Sequence, residues 1–399
     1  MSKYVKNQSS NDPWLIDESG QTWRLGKNAT ISVDNMTAIL AGPGHDNNTI
    51  RLKGDVVATD AGGMGVYLQG EDATLRIGKT SHVEAYASIV SSSTNGSISN
   101  AGDIAGDAYG VLLDVPSELV NRGEISGRNA VAAASGSEIH NLKGGLIDGE
   151  DHGIYIVDDE PTLIENHGTI RADDTAVVIS DGEASTGSTL INTGKIVGDV
   201  LFGAGSDWID SRSGRIKGIV DGGNGDDTYI VGKHSGQLSE KLDNGWDEVR
   251  SGRNVTLEAN FEGITLLGKK SVDATGNAAS NEIFGNAGDN VIRGENGSDF
   301  LGGGKGDDQL FGGANGDDFV FFDGDAHDRV MDFDVTQDQI LLLEFGFDTF
   351  DEIVPLMSQH GTDTWISLGD GDRLILENVE MGNLTEEMFR FDITVIAAV

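Results

Sequence analysis

Residues 302–321 read GGGKGDDQLFGGANGDDFVF, with seven glycines and four aspartates in twenty positions. Glycine loses more backbone entropy on folding than any other residue, and neighbouring carboxylates repel one another, so this composition alone predicts disorder. Within the same stretch, however, QLF and FVF recur at even spacing, as short buried strands do. The segment therefore needs an additional component in order to fold.

The whole chain shares the acidic character of this segment. It has 399 residues, with 66 Asp and Glu against 27 Lys and Arg, and a formal net charge of −39. Such a charge repels nucleic acid and anionic membranes and attracts cations. The absence of cysteine excludes disulfides and thiolate metal sites. The apolar runs are shorter than the ~18 residues of a membrane span, and the first twenty residues have no apolar stretch typical of a Sec-type signal peptide.

The middle of the chain repeats the pattern Asn-x-Gly-x-Ile, and most copies are followed by a second short apolar stretch. The copies begin at Asn100, Asn121, Asn166 and Asn192, with a looser copy at Asn141. Units of about 20–26 residues with two or three short strands predict stacked rungs, because strands of that length are unstable alone. We therefore expect a right-handed parallel β-helix (solenoid) over residues 46–231, after a cap of residues 1–45. The recurring asparagines are expected to be turn residues whose amides bond one another in a ladder.

A second period, of nine residues, begins at residue 276. The copies read GNAASNEIF, GNAGDNVIR, GENGSDFLG and GGKGDDQLF, followed by the ten-residue GGANGDDFVF. An apolar residue holds the eighth position, and the sixth position holds Asn281, Asn290, Asp299, Asp308 and, after one inserted residue, Asp318. Two further copies, FGAGSDWID and GGNGDDTYI, lie within the preceding repeats and place Asp207 and Asp227 20 residues apart.

The nine-residue pattern G-G-x-G-x-D-x-U-x resembles the repeat of RTX (haemolysin-type) calcium-binding proteins. In such a repeat, the glycines permit positive φ and turn backbone carbonyls inward, while the aspartate supplies a carboxylate. Loops stacked two repeats apart would surround a site lined by oxygen, which suits Ca²⁺. The resemblance implies an all-β protein whose solenoid continues into an RTX parallel β-roll over residues 276–322. Calcium binding would then supply folding energy.

The predicted metal ligands share the glycine and aspartate positions of this repeat. In the two embedded copies they are Gly203, Gly205, Asp207, Gly223, Gly225 and Asp227. In the nonapeptide run they are Gly297, Asp299, Gly304, Gly306, Asp308, Gly313, Gly316 and Asp318. The first two nonapeptides carry asparagine in the sixth position and are expected to coordinate poorly. In each Asp–Asp pair, such as Asp317 and Asp318, the first aspartate has the alternative of facing solvent.

The segments that flank the nonapeptides also resemble parts of RTX proteins. Residues 232–275 are expected to form irregular connecting rungs, and residues 323–399 a C-terminal cap. The resemblance implies a terminal calcium site with contributions from Asp328, Asp332 or Asp338. The closing NVEMGNLTEEMFRFDITVIAAV resembles the uncleaved signal read by the type I secretion apparatus, and it also suits a plain capping strand. Export to the outside or cell surface of a Gram-negative bacterium is expected, with folding in the calcium found there.

Two classes of function remain open. A β-solenoid followed by RTX repeats is the layout of secreted alginate epimerases and some polysaccharide lyases. The candidates for a catalytic cluster are Asp151, His152 and Tyr155, with Lys143 and His167 in neighbouring rungs. Asp151 and His152 equally suit a turn before a strand, and neither DPHD nor H-E-x-x-H occurs.

The first class is a non-enzymatic secreted calcium-binding protein that acts in adhesion, a surface layer, a biofilm matrix or a filament, and that binds copies of itself or an extracellular polysaccharide. The second class is an enzyme that modifies a polysaccharide, such as a uronan epimerase or lyase.

Overall fold

The chain divides into two units by its contacts. The computed structural model describes residues 3–157, 160–180, 187–242, 245–369 and 371–391. Unit 1 consists of Met1–Asp227 and Lys233–Ser239, and unit 2 of Thr228–Gly232 and Glu240–Val399. The last eight residues of the predicted secretion signal, 392–399, lie outside the described residues.

Unit 1 is built from short strands in which buried and solvent-facing residues alternate. Its strands are β1 (Lys3–Lys6), β2 (Trp14–Ile16), β3 (Thr22–Leu25), β4 (Thr30–Asp34), β5 (Thr37–Ala41), β6 (Thr49–Leu52), β7 (Asp55–Thr59), β8 (Met64–Leu68), β9 (Thr74–Ile77), β10 (His82–Ser91), β11 (Gly96–Asn100), β12 (Asp103–Leu113), β13 (Ser117–Asn121), β14 (Glu124–Ala134), β15 (Glu138–Asn141), β16 (Leu146–Val157), β17 (Leu163–Asn166), β18 (Thr169–Ser180), β19 (Thr189–Asn192), β20 (Lys195–Leu201), β21 (Trp208–Asp210), β22 (Arg215–Asp221) and, after a strand of unit 2, β24 (Ser235–Ser239).

Each rung of unit 1 contributes one strand to a first parallel sheet, in the order β1, β3, β6, β9, β11, β13, β15, β17, β19 and β21. The rest of each rung forms two further faces, which β4 and β5 supply separately in one rung and β7 and β8 in the next. From β10 onward a single strand supplies both faces, and its register shifts between the two halves. This arrangement confirms the predicted parallel β-solenoid.

Three columns of aliphatic side chains fill the interior of unit 1, one behind each face. They are the column Ile98, Leu119, Ile139, Ile164 and Leu190, the column Ile104, Ile125, Ile147, Ile170 and Ile196, and the column Ile89, Val111, Val131, Ile154 and Val177, all of them 0% exposed. A single rung has no second layer against which to bury these residues, so the rungs are stable only when stacked. The isoleucines of Asn-x-Gly-x-Ile form the second column.

The recurring asparagines form the predicted ladder. In each step the Nδ2 of one asparagine donates to the Oδ1 of the next, at 3.0 Å from Asn100 to Asn121, 3.0 Å from Asn121 to Asn141, 2.8 Å from Asn141 to Asn166, and 2.8 Å from Asn166 to Asn192. All five residues are buried. An amide both donates and accepts, so the same residue satisfies its neighbours in every rung.

The parallel ladder extends into residues 1–45, the segment predicted as a cap. β1 pairs with β3, and β3 pairs with β6, both in parallel. At the position where later rungs carry the ladder asparagine, these rungs carry Leu25, Leu52 and Ile77. The early rungs therefore lack the motif that marks the repeat, although they share its backbone pairing.

Unit 2 contains two sheets of mostly parallel strands. Its strands are β23 (Thr228–Val231), β25 (Glu248–Ser251), β26 (Val255–Thr256), β27 (Gly263–Leu266), β28 (Ala274–Thr275), β29 (Glu282–Phe284), β30 (Val291–Asn296), β31 (Phe300–Gly302), β32 (Gln309–Ala314), β33 (Asp318–Phe322), β34 (His327–Val330), β35 (Gln339–Leu343), β36 (Met357–His360), β37 (Asp363–Gly369), β38 (Asp372–Leu376) and β39 (Phe389–Arg390). A short helix, α1, spans Phe350–Ile353, and 3₁₀ turns span Val354–Leu356, Met381–Asn383 and Glu386–Met388.

The odd-numbered strands β23–β35 and then β39 form one parallel sheet of unit 2. β26, β28, β30, β32, β34 and β38 form the other parallel ladder, and β36 and β37 add an antiparallel hairpin to β38. Within residues 232–275, the first sheet is regular, whereas β26 and β28 have two residues each. The connecting rungs are therefore irregular on one side only.

Replacing Asn141 by alanine tests the asparagine ladder. The change leaves Asn121 Nδ2 and Asn166 Oδ1 without their ladder partners in a buried site. We therefore expect the free energy of unfolding of unit 1 to fall by about 2–4 kcal/mol. Urea titration followed by circular dichroism measures this loss. The exposed Asn28 is a matched control, and Asn28→Ala should change stability by less than about 0.5 kcal/mol. Equal effects of the two substitutions would show that the ladder contributes nothing.

Candidate metal-binding site

The sixth-position residues of the nonapeptides stack in two columns in unit 2. In the first column, Asp299 Oδ1 accepts the N–H of Asn281 at 2.7 Å, and Asp317 Oδ1 accepts the N–H of Asp299 at 2.9 Å. In the second column, Asp308 Oδ1 accepts the N–H of Asn290 at 2.6 Å. One oxygen of each carboxylate is thus held by the backbone of the preceding rung.

The second oxygen of each of these carboxylates is buried beside the first glycine of its nonapeptide. Oδ2 of Asp299, of Asp308 and of Asp317 is buried and has no hydrogen-bond partner among the described residues. A Cβ built on Gly294, the first residue of its nonapeptide, would overlap with Asp299 Oδ2. The first glycines of the next two nonapeptides stand in the same relation to the Oδ2 atoms of the next two aspartates. Only glycine in the first position leaves room for these oxygens.

Burial raises the pKa of each of these carboxyl groups well above its ordinary value of 3.8. The pKa rises to about 6 for Asp299, to about 7 for Asp308 and to about 7 for Asp317. Burial is the main cause, and neighbouring carboxylates raise the pKa values of Asp308 and Asp317 further. The site therefore accepts either protons or a cation at neutral pH, and its oxygen donors suit a hard cation such as Ca²⁺.

The structure corrects the predicted register of the last nonapeptide. β31 and β33 pair with Phe300 opposite Asp318, so Asp317, and not Asp318, continues the column of Asp299. The predicted insertion in GGANGDDFVF is absent, and Phe319 fills the buried eighth position opposite Leu301.

The same shift moves the fourth position of this loop from the predicted Gly316 to Asn315. Asn315 has φ +87°, where the equivalent Gly297 and Gly306 have φ +117° and +133°. Asparagine tolerates this left-handed conformation better than most residues, so it replaces glycine there without an insertion. The unbroken spacing of nine from Asp308 to Asp317 is the sequence signal that identifies the register.

The first two nonapeptides satisfy their sixth-position amides with backbone groups. Asn281 Oδ1 accepts the N–H of Asn277 at 2.8 Å, and its Nδ2 donates to the carbonyl of Phe261 at 3.1 Å. Asn290 makes the equivalent pair of bonds, with its Nδ2 2.6 Å from the carbonyl of Val272. These two loops therefore close without a charged group, and their poor coordination of calcium stays a prediction.

Asp328 continues the second column. Its Oδ1 accepts the N–H of Asp308 at 3.0 Å, and burial, followed by the charge of Asp308, raises its pKa to about 9. Asp325, which no motif marks, lies in the preceding turn, and burial raises its pKa to about 6. The second column therefore ends in three carboxyl groups with raised pKa values, those of Asp308, Asp325 and Asp328.

In Asp332 and Asp338, the other two predicted residues of the terminal site, both carboxylate oxygens accept hydrogen bonds from backbone N–H groups. Asp332 accepts the N–H groups of Gly312 and Gly313 at 2.9 and 3.1 Å. Asp338 accepts the N–H of Asp317 at 2.9 Å and a second backbone N–H at 2.7 Å. Both aspartates close the stacked loops, so among the three predicted terminal ligands the geometry favours Asp328.

The two embedded loops of unit 1 repeat the same contacts. Asp207 Oδ1 accepts the N–H of Ser188 at 2.5 Å, and Asp227 Oδ1 accepts the N–H of Asp207 at 2.7 Å. Both aspartates are buried. The predicted glycines Gly205, Gly223 and Gly225 have positive φ, at +105°, +100° and +117°. A Cβ on Gly223 or Gly225 would overlap the carbonyl oxygen of Gly203 or Gly205 in the rung before it.

The catalytic candidates do not form one cluster. In the described part of the chain, no hydrogen bond or ion pair links Asp151 to His152: Asp151 Oδ2 lies 3.9 Å from Arg128 Nε, and His152 Nδ1 lies 2.8 Å from Asn129 Oδ1. The rings of His152 and Tyr155 do meet, with centroids 5.2 Å apart.

The two residues predicted in neighbouring rungs lie at a different corner. Lys143 is exposed in the turn between β15 and β16, and His167 is in the turn between β17 and β18. His167 contacts the hydroxyl of Thr193 in the next rung. Both turns are those of the asparagine ladder, whereas Asp151 and His152 lie at the bend within β16.

Comparison with known proteins agrees with the loop geometry. Residues 275–310 match the family model of the RTX calcium-binding nonapeptide repeat, in four copies. The chain therefore carries an RTX calcium-binding repeat region within a parallel β-solenoid fold. No helix among the described residues is long and apolar enough to cross a membrane.

Two curated relatives are glycanases of Rhizobium meliloti (strain 1021). The chain is 39% identical over 195 residues to the endo-1,3-1,4-beta-glycanase EglC, and the alignment covers 48% of this chain and 39% of the relative. It is 38% identical over 201 residues to the endo-1,3-1,4-beta-glycanase ExsH, covering 49% of this chain and 40% of that protein. The chain thus spans about two fifths of the length of these relatives.

Among solved structures, the AlgE6R3 subunit of the Azotobacter vinelandii mannuronan C5-epimerase aligns with 36% of this chain and 91% of its own. The sequence identity is 26% and the TM-score 0.29.

The raised carboxyl pKa values predict that stability without metal falls as pH rises. The folded state holds protons on Asp299, Asp308 and Asp317 up to pH about 6–7, whereas the unfolded chain releases them near pH 4. In EGTA, the folded fraction of unit 2, measured by far-ultraviolet circular dichroism, should therefore be larger at pH 5 than at pH 8. The double variant Asp308→Asn/Asp317→Asn should flatten this pH dependence, and a folded fraction that rises with pH would contradict the assignment.

Proposed function

We propose that this protein is a secreted calcium-binding β-solenoid that folds on binding Ca²⁺ and has a structural or adhesive role outside the cell. The observation that carries the proposal is the set of buried Oδ2 atoms of Asp299, Asp308 and Asp317. A buried carboxylate oxygen without a partner costs several kcal/mol, and a bound cation removes that cost. Binding energy then becomes folding energy for the nonapeptide loops.

The residues that would hold calcium are the stacked aspartates and the loop carbonyls beside them. In unit 2 these are Asp299, Asp308, Asp317 and Asp328, and in unit 1 they are Asp207 and Asp227. Ca²⁺ takes 6–8 oxygen ligands in flexible geometry, which a loop of carbonyls and carboxylates can supply. Bound calcium would supply positive charge between carboxylates that otherwise repel each other.

Export by the type I secretion apparatus fits this chemistry. The chain is strongly acidic, and its nonapeptide loops contain buried carboxylates that oppose folding in the absence of a cation. A low concentration of calcium in the cytoplasm would keep these loops unfolded, as passage through a channel requires. The RTX repeats support location outside a Gram-negative cell.

A second candidate function, an enzyme that modifies a polysaccharide, is favoured by a polar groove on unit 1. The groove has a volume of about 750 Å³. The charged side chains that line it are Asp107, Arg128, Asp148, Glu150, Arg171 and Asp173. Arg171 Nε donates to Asp148 Oδ1 at 2.6 Å, and Arg128 lies beside the candidate Asp151. The glycanase relatives are compatible with such a role.

Substituting the two neighbouring aspartates separately tests the calcium site and its register. Asp317→Asn removes a carboxylate from the buried column, so we expect it to bind one calcium ion fewer and to fold at a higher calcium concentration. Asp318→Asn is the matched control and should keep the full stoichiometry. Isothermal titration calorimetry and far-ultraviolet circular dichroism in EGTA measure both effects. The assignment is wrong if Asp318→Asn loses the ion and Asp317→Asn does not.

Incubation with polysaccharides separates the two functions. We expect no unsaturated, epimerised or shortened product when the calcium-loaded protein is incubated with uronans or with mixed-linkage β-glucans, because no hydrogen bond or ion pair links the side chains of Asp151 and His152. Chromatography of the products and ultraviolet absorbance measure this. Turnover that is lost in both Asp151→Ala and His152→Ala, but kept in the exposed control Lys217→Ala, would establish the enzymatic function instead.

A further inference from the structure

Three consecutive rungs of unit 1 carry a line of cations on the solvent face of the first sheet. Arg24, Arg51 and Arg76 occupy equivalent positions of β3, β6 and β9 and lie in register. The alternating burial of these strands places the arginines outward and the aliphatic residues inward. A lysine follows in each of the next turns. These six residues, Arg24, Lys27, Arg51, Lys53, Arg76 and Lys79, are called the basic stripe below.

Several arginines elsewhere in this acidic protein are paired with a carboxylate. Arg171, Arg212 and Arg250 each form an ion pair with a carboxylate. In the described ranges, by contrast, no carboxylate lies within 4.0 Å of a cationic nitrogen of the stripe. Carboxylates outnumber cations by 66 to 27 in the chain, and the three arginines in register therefore form a local concentration of positive charge on an acidic protein.

Two arginines of the stripe also have an unsatisfied donor. The Nε atoms of Arg24 and Arg51 are buried and have no hydrogen-bond partner among the described residues. Rungs of a β-solenoid repeat every ~4.8 Å, so the arginines stack as neighbouring like charges. Repulsion between these like charges disfavours the arrangement unless an anion is bound to it.

The geometry points to a ligand with regularly spaced acidic groups. A guanidinium binds a carboxylate or a sulfate with two parallel hydrogen bonds, so three stacked arginines suit three such groups in a line. Thr22, Thr49 and Thr74 lie in register on the same face, two residues before each arginine, and place polar positions beside the line.

We propose that the basic stripe binds an acidic polysaccharide, with a carboxylate or sulfate against each arginine. Duplex DNA fits less well, because its charges recur every ~1.7 Å and extend far beyond three rungs onto an acidic surface. The inference deepens the proposed adhesive function by naming a surface and a ligand class. It does not depend on the calcium ligands, none of which belongs to the stripe.

Binding of defined polymers to the full-length, calcium-loaded protein tests this inference. The probes are a short uronate oligomer, dextran sulfate and neutral dextran of matched length, and a 20-base-pair DNA duplex, at one fixed calcium concentration. We expect both acidic polysaccharides to bind, the neutral one not to bind, and the binding to weaken as salt rises. A preference between uronate and sulfate would identify which acidic group the stripe recognises.

The variant Arg24→Gln/Arg51→Gln/Arg76→Gln should weaken binding of the acidic polysaccharide at low salt by roughly tenfold or more. The control Arg122→Gln/Lys143→Gln/Lys217→Gln removes the same charge from exposed positions outside the stripe and should change binding less than about twofold. Calcium stoichiometry and circular dichroism of both variants verify the fold and test the calcium proposal separately. Equal weakening in the two variants, equal binding of neutral dextran, or tighter binding of the duplex would each overturn the inference.

Discussion

The rest of unit 2 depends on the stacking of one carboxylate above another inside a buried loop. Each rung places an aspartate at the same point, and the backbone of the preceding rung fixes one of its oxygens. The other oxygen lies so close to a glycine that any larger residue in place of the glycine would displace the oxygen. Burial opposes ionisation of these groups, as the raised pKa values of Asp308 and Asp317 indicate. The glycine-rich, acidic composition that first suggests disorder is therefore what an oxygen-lined cation site requires.

In unit 1, the buried polar side chains that stack from one rung to the next are mostly neutral. An asparagine amide donates and accepts at once, so Asn100 to Asn192 can bond in an unbroken line. A hydroxyl plays a similar part where Ser137 and Ser188 each accept a backbone N–H from the preceding rung. A carboxylate only accepts, so a column of aspartates cannot bond to itself in this way. Along one column, Ser188 is followed by Asp207 and Asp227, so carboxylates replace hydroxyls at this point.

The sequence predicts those features that repeat with a strict period. The parallel solenoid, the asparagine ladder and the nonapeptide loops all follow from residues that return to the same place in each rung. The earliest rungs do not show the asparagine motif, because Leu25, Leu52 and Ile77 replace the asparagine while the backbone pairing continues, and the sequence therefore predicts the rung of Leu25 as part of a cap. The register of the last nonapeptide is missed because Asn315 replaces a glycine, and an assumed insertion then moves the ligand from Asp317 to Asp318. The environment of Asp308 Oδ2 depends on how the rungs pack in three dimensions, and a sequence pattern does not show which oxygen remains unpaired.

Charge connects the calcium sites with the basic stripe. The net charge of −39 repels any acidic polymer, and each bound calcium ion reduces that repulsion by two charges. Calcium loading should therefore favour binding of an acidic polysaccharide at Arg24, Arg51 and Arg76 even though no calcium ligand belongs to the stripe. Linkage requires the reverse effect as well, so a bound acidic polysaccharide changes calcium affinity by the same factor. Because screening weakens interactions between distant exposed charges, this coupling is expected to fade at physiological salt, whereas the direct contacts of the stripe persist longer.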